Sequence, residues 1–348
     1  MPMPLSRWRE REAASIENDA LRVTVLREGG HVAEILHKKT GVNPLWVPPW
    51  ATMEPSRYDA AKHPEYGGDA ESKLLSGIHG HNLCLDLFGG PTTEEAAAGM
   101  TTHGEGSVAA YSLADASGGL EMRATLPLHG LAFARAIRLD GERVRFFETV
   151  ENLTALDRPI AYTQHVTLGP PFLQCGKTEF RIPGTRSMSY PEDFAGPNGY
   201  LPVGSVFDWP RAPRRDGKGT VDMRRLQDVP ASAAFSTHLL DPHRERAWFM
   251  AWAPASKLLF GYEWRRSDFP WMGIWEENHS RTTPPWNGRT LTRGMEFGAS
   301  PFPESRRAMM ERRELFGVPG YRWLPAKGRI AVEYSAFARM ADSIPEEL

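Results

Sequence analysis

The sequence predicts an all-β protein with antiparallel strands and few short helices. Residues 107–168 alternate between apolar and polar side chains, with turn residues but no helical pattern between the segments, which excludes a parallel βαβ sheet. The 32 glycines and 29 prolines supply many turns. The 11 tryptophans suit a β protein with aromatic platforms better than a helical bundle.

Individual elements follow from local patterns. Asp140-Gly141 is the strongest hairpin signal in the chain. A helix is expected at residues 303–314, because it starts with a proline and has an acidic residue in its first turn. Alternation and flanking turns predict strands at residues 21–26, 31–36, 108–113, 120–126, 131–139, 144–151, 160–168, 232–240, 247–252, 257–263 and 328–340.

The remaining segments are predicted to be irregular. Residues 1–18 are expected to be a solvated N-terminal lead-in, and residues 51–66 a long loop rich in proline and aromatic side chains. One or two helical turns are expected at residues 92–99, and residues 183–230 are expected to run as a long excursion over the surface. Because no break in composition and no repeat interrupts the chain, residues 19–348 are predicted to form a single domain.

Composition and charge exclude several classes of function. A net charge of −2 offers no field to attract nucleic acid or an anionic membrane. No apolar run approaches the roughly 20 residues that span a bilayer, and the N-terminus lacks the apolar core of a signal peptide. Cys84 and Cys175 form no Cys-x-x-Cys motif, which favours a cytoplasmic protein. Without a Gly-x-Gly-x-x-Gly or P-loop motif, no cofactor is expected.

Three stretches are candidates for one shared cleft. His165 lies on a predicted strand just before residues 169–171, Gly-Pro-Pro, where the hydrogen-bonded ladder must end. His103-Gly104 precedes it, and Glu296 lies far downstream. Each motif alone is weak, because most histidines are satisfied structural side chains.

His79 and His81 form a His-x-His pair. On a strand, this spacing places both rings on one face, which would suit a metal ion. The alternative, which we favour, is a polar strand edge or a substrate-binding loop, so no metal site is predicted.

In their order along residues 20–340, these motifs resemble the galactose mutarotase (aldose 1-epimerase) superfamily. Residues 29–46 are similar to its opening hairpin, His103-Gly104 to its first His-Gly element, and residues 159–165 to the strand leading to its second histidine. Glu296, followed by Phe-Pro at residues 302–303, resembles its C-terminal glutamate and Phe-Pro element.

The resemblance implies a large antiparallel β-supersandwich and an isomerase that interconverts sugar anomers without a cofactor. His165 would be the general acid, Glu296 the base, and His103 a binding or oxygen-polarising partner. Acid and base are expected several ångströms apart across the sugar, without bonding each other. The expected ligand is a sugar or sugar derivative, bound by a monomer or homodimer.

The sequence departs from the superfamily pattern at two places. Members usually carry arginine in a Gly-Arg-x-x-Asn-Arg-like element, but residues 76–82 contain none, and His79 or His81 is expected to replace it. The usual Tyr-Phe-Asn-Leu-like run after the second histidine is Val-Thr-Leu-Gly at residues 166–169. The chain is therefore predicted to be a divergent member that takes a different sugar or has lost activity.

Further side chains are expected around the cleft. Glu276 and Glu277 rival Glu296 as the base, and only one of these two neighbours on a strand can face a cleft. Three arginines clustered with the His-x-His pair would favour a sugar acid or sugar phosphate: Arg281, Arg289 and Arg293. The predicted substrate-binding residues are His79, His81, Asn82, Trp275, Glu277 and Trp286.

Two other functions remain open at this point. One is a non-catalytic carbohydrate-binding protein on the same fold. The other is a lyase or hydrolase, with or without a metal at His79 and His81. Hydrolysis would need two carboxylates about 5–10 Å apart, which only Glu296 and the 276–277 pair could supply.

Overall fold

Antiparallel strands dominate the architecture. In the computed structural model, which describes residues 3–116 and 118–348, 45% of residues lie in strands and 8% in helices. The predicted all-β class is confirmed. No helix among the described residues is long and apolar enough to cross a membrane.

The strands are numbered β1 to β24 in chain order. The first twelve span Ser6–Trp8, Arg11–Glu17, Leu21–Leu26, Val32–His37, His81–Asp86, Ser112–Asp115, Gly119–Leu126, Leu131–Asp140, Arg143–Asn152, Arg158–Leu168, Glu179–Arg181 and Gly184–Ser189. The others span Val206–Asp208, Arg211–Pro213, Thr220–Asp222, Ser232–Leu240, Arg246–Ala253, Leu258–Arg265, Trp271–Asn278, Leu291–Gly298, Glu314–Leu315, Val318–Pro319, Arg322–Leu324 and Arg329–Met340. The α-helices α1, α2 and α3 span Ser72–Leu75, Thr93–Ala97 and Arg306–Arg312.

Two large sheets carry the fold in the described part of the chain. The larger has fourteen strands, in the order β1-β2-β3-β4-β5-β10-β20-β19-β16-β12-β13-β14-β15, with β23 added beside β10. The smaller has eight strands, in the order β11-β17-β18-β24-β9-β8-β7-β6. The central neighbours β5, β10, β20, β19 and β16 pair antiparallel.

The main apolar core lies between these sheets. One buried cluster joins Val166 and Phe297 of the larger sheet to Phe146 and Phe260 of the smaller one. The opposite face of the larger sheet is covered by loops and by α3, whose Met309 packs into a second cluster. Strand β10 is therefore buried on both faces, because successive side chains point to opposite sides of a sheet.

A buried polar network links the sheets within this core. Arg135 donates to Glu148 at 2.6 Å, and neither side chain is accessible to solvent. The Glu148 carboxylate also accepts from Tyr162, Gln164 and Tyr334. Because Tyr162 and Gln164 belong to the larger sheet and the others to the smaller one, the network fixes how the sheets meet.

Most predicted strands and the hairpin at Asp140-Gly141 are observed. Asp140 pairs with Arg143 across the turn, and strands β3 and β16 have the predicted bounds. The helix expected at residues 303–314 is shorter, because Ser305 caps α3 and accepts from Ala308 N at 3.4 Å.

Two segments are more regular than the sequence predicts. Residues 6–17, expected to be a solvated lead-in, form β1 and β2, because Arg11 is buried against Glu54 and Ala13 packs inside. Within residues 183–230, strands β12 to β15 extend the larger sheet. Most of these strands are three residues long, too short to show periodicity.

Candidate active site

A cavity of about 170 Å³ lies on the face of the larger sheet that is turned away from the smaller sheet. Loops on this face, together with α1, form its walls. Its lining residues are Glu71, Leu75, Ile78, Gly89, Gly90, Thr102, His103, His165, Phe194, Phe235, Trp275, Arg281, Trp286, Glu296 and Pro303.

The floor of the cavity is one row of side chains across neighbouring strands. Asn82 on β5 pairs with His165 on β10, and His165 pairs with Glu296 on β20. Glu296 in turn pairs with Gly273 on β19. Directly paired residues point to the same face of a sheet, so an amide, an imidazole and a carboxylate lie side by side. Of these three side chains, His165 and Glu296 line the cavity, whereas Asn82 is fully buried beside them.

His165 and Glu296 are in contact. His165 Nε2 lies 3.0 Å from Glu296 Oε1, whereas the sequence-based expectation was that a sugar would keep them apart. The expected separation of several ångströms is wrong, because the two residues are cross-strand partners, whose Cβ atoms lie only about 4.5–5.5 Å apart. The contact is close but poorly aligned, since Glu296 Oε1 has no hydrogen-bond partner of good geometry among the described residues.

Gly294 makes room for the Glu296 carboxylate. A Cβ atom at position 294 would lie 2.3 Å from Glu296 Oε1, far inside van der Waals contact. Gly294 and Glu296 are two residues apart on β20, so both face the cavity. The glycine therefore lets the carboxylate lie flat along its own strand.

His103 joins this pair from the loop after α2. Its ring centroid is 4.7 Å from that of His165, and its Nδ1 donates to Phe88 O at 2.6 Å. Burial, with a smaller effect from His165, holds the pKa of His103 well below its usual value. The ring is therefore neutral, and Nε2 is left as an acceptor.

The following glycine explains the His-Gly motif. His103 has φ 65° and Gly104 has φ 76°. A Cβ at position 104 would lie 2.5 Å from the carbonyl oxygen of Leu85 on β5. Only glycine allows this turn so close to the strand, and the turn places the imidazole over the floor.

Aromatic side chains form one wall. Trp275 and Trp286 meet edge to face, with ring centroids 6.0 Å apart, and Phe235 lies opposite Trp275 on β16. The Trp275 indole nitrogen is buried without a hydrogen-bond partner among the described residues, as is Asn82 Nδ2. A buried N–H without a partner is costly, and of these two groups only the Trp275 N–H belongs to a residue that lines the cavity, where a polar ligand could accept from it.

An ion pair stands beside this wall. The Arg281 guanidinium carbon lies 4.7 Å from the ring centroid of Trp286. Its Nη1 is 3.5 Å from Glu71 Oε2, and its Nε is 3.8 Å from Glu277 Oε2. The sequence suggested Arg281 only as part of a cluster with His79 and His81. The structure does not contain this cluster, because Arg281 lines the cavity and the two histidines do not.

The predicted His-x-His pair lies outside the cavity. His81 belongs to the polar network between the sheets, where its ring nitrogens contact Tyr262 and Gln164 at 3.0 and 2.9 Å. His79 precedes β5 and packs edge to face against Trp8. Among the described residues, no three His, Cys, Asp or Glu side chains come together as a metal site.

The rival carboxylates do not replace Glu296 on the floor. Glu276 faces the inter-sheet side, where it contacts Tyr200 and lies 3.3 Å from Arg293 Nη1, and burial raises its pKa. Glu277 shares the face of Trp275, but its oxygens accept from the backbone and hydroxyl of Ser280 and from the Arg281 backbone. It fixes the start of the loop that carries Arg281.

Sequence reasoning missed several residues of the site. Thr167, whose hydroxyl lies 3.0 Å from His165 Nδ1, could have been found, because it is two residues from His165 on a predicted strand. Thr102 could also have been found, because it directly precedes His103, whereas Glu71, Phe194 and Phe235 carried no such signal. These last three reach the cavity from segments remote in sequence.

Several solved structures share this architecture, although no protein-family model and no curated protein sequence matches the chain. A Klebsiella pneumoniae protein provisionally assigned as an aldose 1-epimerase aligns with a TM-score of 0.69 and 13% identity, over 97% of this chain and 82% of the other. A galactose mutarotase-like protein from Clostridium acetobutylicum aligns with a TM-score of 0.64 and 13% identity, over 98% of this chain and 99% of the other. A galactose mutarotase-like protein from Lactobacillus casei aligns with a TM-score of 0.60 and 13% identity, over 94% of this chain and 100% of the other. The chain has the galactose mutarotase-like fold, as the sequence motifs indicated.

Proposed function

We propose that this protein is an aldose 1-epimerase-like enzyme, which interconverts the anomers of a sugar by acid–base catalysis without a cofactor. The observation that carries the proposal is the contact between His165 and Glu296 on the floor of the cavity, with His103 beside them. The likeness in fold to galactose mutarotase-like proteins supports a sugar as the ligand. A cytoplasmic location and a monomeric or homodimeric assembly stay predictions from the sequence.

Anomer exchange requires proton transfers at two oxygens of one carbon. In a cyclic aldose, the ring oxygen and the anomeric hydroxyl are both bonded to C1. An acid and a base that serve them must therefore lie close together, and the 3.0 Å contact of His165 with Glu296 suits this need.

The steps balance with these two residues alone. Protonated His165 gives its proton to the ring oxygen, and the Glu296 carboxylate takes the proton of the anomeric hydroxyl. The bond from C1 to the ring oxygen breaks, and a C1 carbonyl forms. After rotation about the C1–C2 bond, the freed hydroxyl attacks the other face of the carbonyl, His165 recovers its proton, and Glu296 returns a proton to the new anomeric oxygen.

The other side chains hold the sugar. Neutral His103 offers Nε2 as an acceptor for a sugar hydroxyl, because its Nδ1 already donates to Phe88 O. Trp275 and Trp286 offer apolar faces for the C–H surface of a sugar ring, and the Trp275 N–H offers a donor.

The test is anomer exchange measured by polarimetry or magnetisation-transfer NMR across a panel of aldoses. We expect exchange faster than the spontaneous rate for at least one neutral sugar. Binding without exchange would favour a carbohydrate-binding protein, and neither binding nor exchange would overturn the proposal.

A further inference from the structure

Arg281 has hydrogen-bonding capacity that the protein does not use. It lies on the segment between β19 and β20, with its guanidinium over Trp286 and 5.7 Å from the Trp275 ring centroid. Its side chain is 30% exposed, and the guanidinium makes no hydrogen bond to another described residue. A planar fork of donors held over an aromatic ring at a cavity wall is available to a ligand.

The charge of Arg281 is nevertheless balanced. Carboxylate oxygens of Glu71 and Glu277 lie within 4 Å of it, and Glu296 adds a third carboxylate on the floor. Arg281 is the only arginine or lysine among the residues that line the cavity. An anionic ligand would therefore meet a site whose carboxylates outnumber its permanent cations.

The two carboxylates beside Arg281 differ in their burial and in how many groups hold them. Glu277 is buried, and both its oxygens are held by Ser280 and the Arg281 backbone. Glu71, at the start of α1, has a 32% exposed side chain, and Arg281 is its only ion-pair partner among the described residues. Glu71 is thus the countercharge that could be removed without disturbing the loop.

This inference rests on the proposed function. We propose that Glu71 determines the charge selectivity of the cavity. By balancing Arg281, it leaves the guanidinium as a donor to the uncharged hydroxyls of a sugar, and it disfavours sugars that carry a carboxylate or phosphate. The cluster expected from the sequence would have favoured anionic sugars, but Arg293 is paired with Glu276 on the other face, and His79 and His81 lie outside the cavity.

The experiment compares the wild type with Glu71→Gln. Glucose, glucuronate and glucose 6-phosphate serve as probes, with dissociation constants measured by calorimetry or ligand-observed NMR and anomer exchange measured in parallel. We expect the wild type to prefer glucose. In Glu71→Gln, the affinity for an anionic sugar relative to that for glucose should rise about threefold to tenfold at low salt. This gain in relative affinity should shrink near 0.5 M salt.

Two variants separate charge balance from a structural effect. Glu245→Gln removes an exposed carboxylate on the turn after β16 and should leave the preference unchanged. The double variant Glu71→Gln/Arg281→Gln should lose the gain, because no unbalanced guanidinium remains. A gain that persisted without Arg281 would overturn the inference.

The remaining outcomes are distinct. A wild type that exchanges glucose, with an unchanged preference in Glu71→Gln, would overturn the inference and leave the proposed function standing. A wild type that prefers either anionic sugar would also overturn it. A wild type that binds glucose without exchanging it would overturn the proposed function, while the ratio of dissociation constants would still decide the role of Glu71. Failure to bind any of the three probes would overturn the inference.

Discussion

His165 and Glu296 are direct cross-strand partners on β10 and β20, and Nε2 of one lies 3.0 Å from Oε1 of the other. Opposed residues in an antiparallel pair have Cβ atoms about 4.5–5.5 Å apart, so their contact follows from the register of the two strands. A ligand that reaches one of these side chains therefore reaches both.

The acid–base pair can be tested by substitutions that keep shape. His165→Asn and Glu296→Gln should each lower the rate of anomer exchange roughly 10²–10⁴-fold, because each removes one proton transfer. Sugar binding should survive better, since the hydroxyl contacts and the aromatic wall remain. His243→Asn, an exposed histidine, is the control. Near-full activity in both variants would rule out the assignment.

Gly294→Ala tests whether the carboxylate needs its present position. The new Cβ would lie 2.3 Å from Glu296 Oε1, so the carboxylate must move while the strand is retained. We expect roughly a tenfold or greater loss of exchange rate, with a small change in melting temperature. Gly68→Ala, whose Cβ would meet nothing within 4 Å, should leave the rate unchanged. Equal rates for both variants would argue against a positional role.

Trp275→Phe separates the indole N–H from the aromatic face. The ring surface remains, but the N–H that has no partner among the described residues is lost. If it donates to the sugar, the dissociation constant should rise about fivefold to tenfold, which corresponds to about 1 to 1.4 kcal/mol of binding free energy. Trp323→Phe, at a 54% exposed tryptophan, provides the comparison. Unchanged affinity in Trp275→Phe would mean that the ligand does not use this donor.

Stability should fall as the solution becomes acidic. Burial lowers the pKa of His31 and of His238 to about 3, and it also lowers those of His79, His81 and His103. The unfolded chain binds protons at these histidines below about pH 6.5 while the folded protein does not, so the free energy of unfolding decreases as pH falls.

Urea unfolding at several pH values measures this effect. The free energy of unfolding should drop by about 1 kcal/mol or more between pH 7 and pH 5, where protonation of the unfolded state dominates. The raised pKa values of Glu276 and Glu304, which burial causes, act in the opposite direction as these carboxyls gain protons. A flat profile over this range would contradict the prediction.

Glu148→Gln should destabilise the protein by disrupting the buried polar network that links the two sheets. It leaves Arg135 buried without its countercharge and weakens the contacts of Tyr162, Gln164 and Tyr334. Breaking a buried ion pair in this way costs roughly 3–5 kcal/mol. Asp140→Asn breaks an exposed pair with Arg145 and should cost less than about 1 kcal/mol. Similar losses in the free energy of unfolding for the two variants would show that burial does not determine how much an ion pair contributes to stability.

The sequence by itself determined the fold class, most strands and the candidates for the floor of the site. Alternation and Asp140-Gly141 are local signals, because side-chain period and turn conformation depend on neighbours in the chain. His103, His165 and Glu296 were chosen from their motifs, and all three line one cavity.

Only the tertiary structure decided which of these residues touch. The contact of His165 with Glu296 depends on pairing between strands more than 100 residues apart in sequence. His81 and Asn82 are adjacent, yet His81 faces the core between the sheets and Asn82 faces the opposite side of the larger sheet, because successive side chains on a strand point to opposite faces. The pairing of Glu71 with Arg281 joins two loops that no local pattern relates. Contacts of this kind are set by how the sheets and loops pack, and that information is spread over the whole chain.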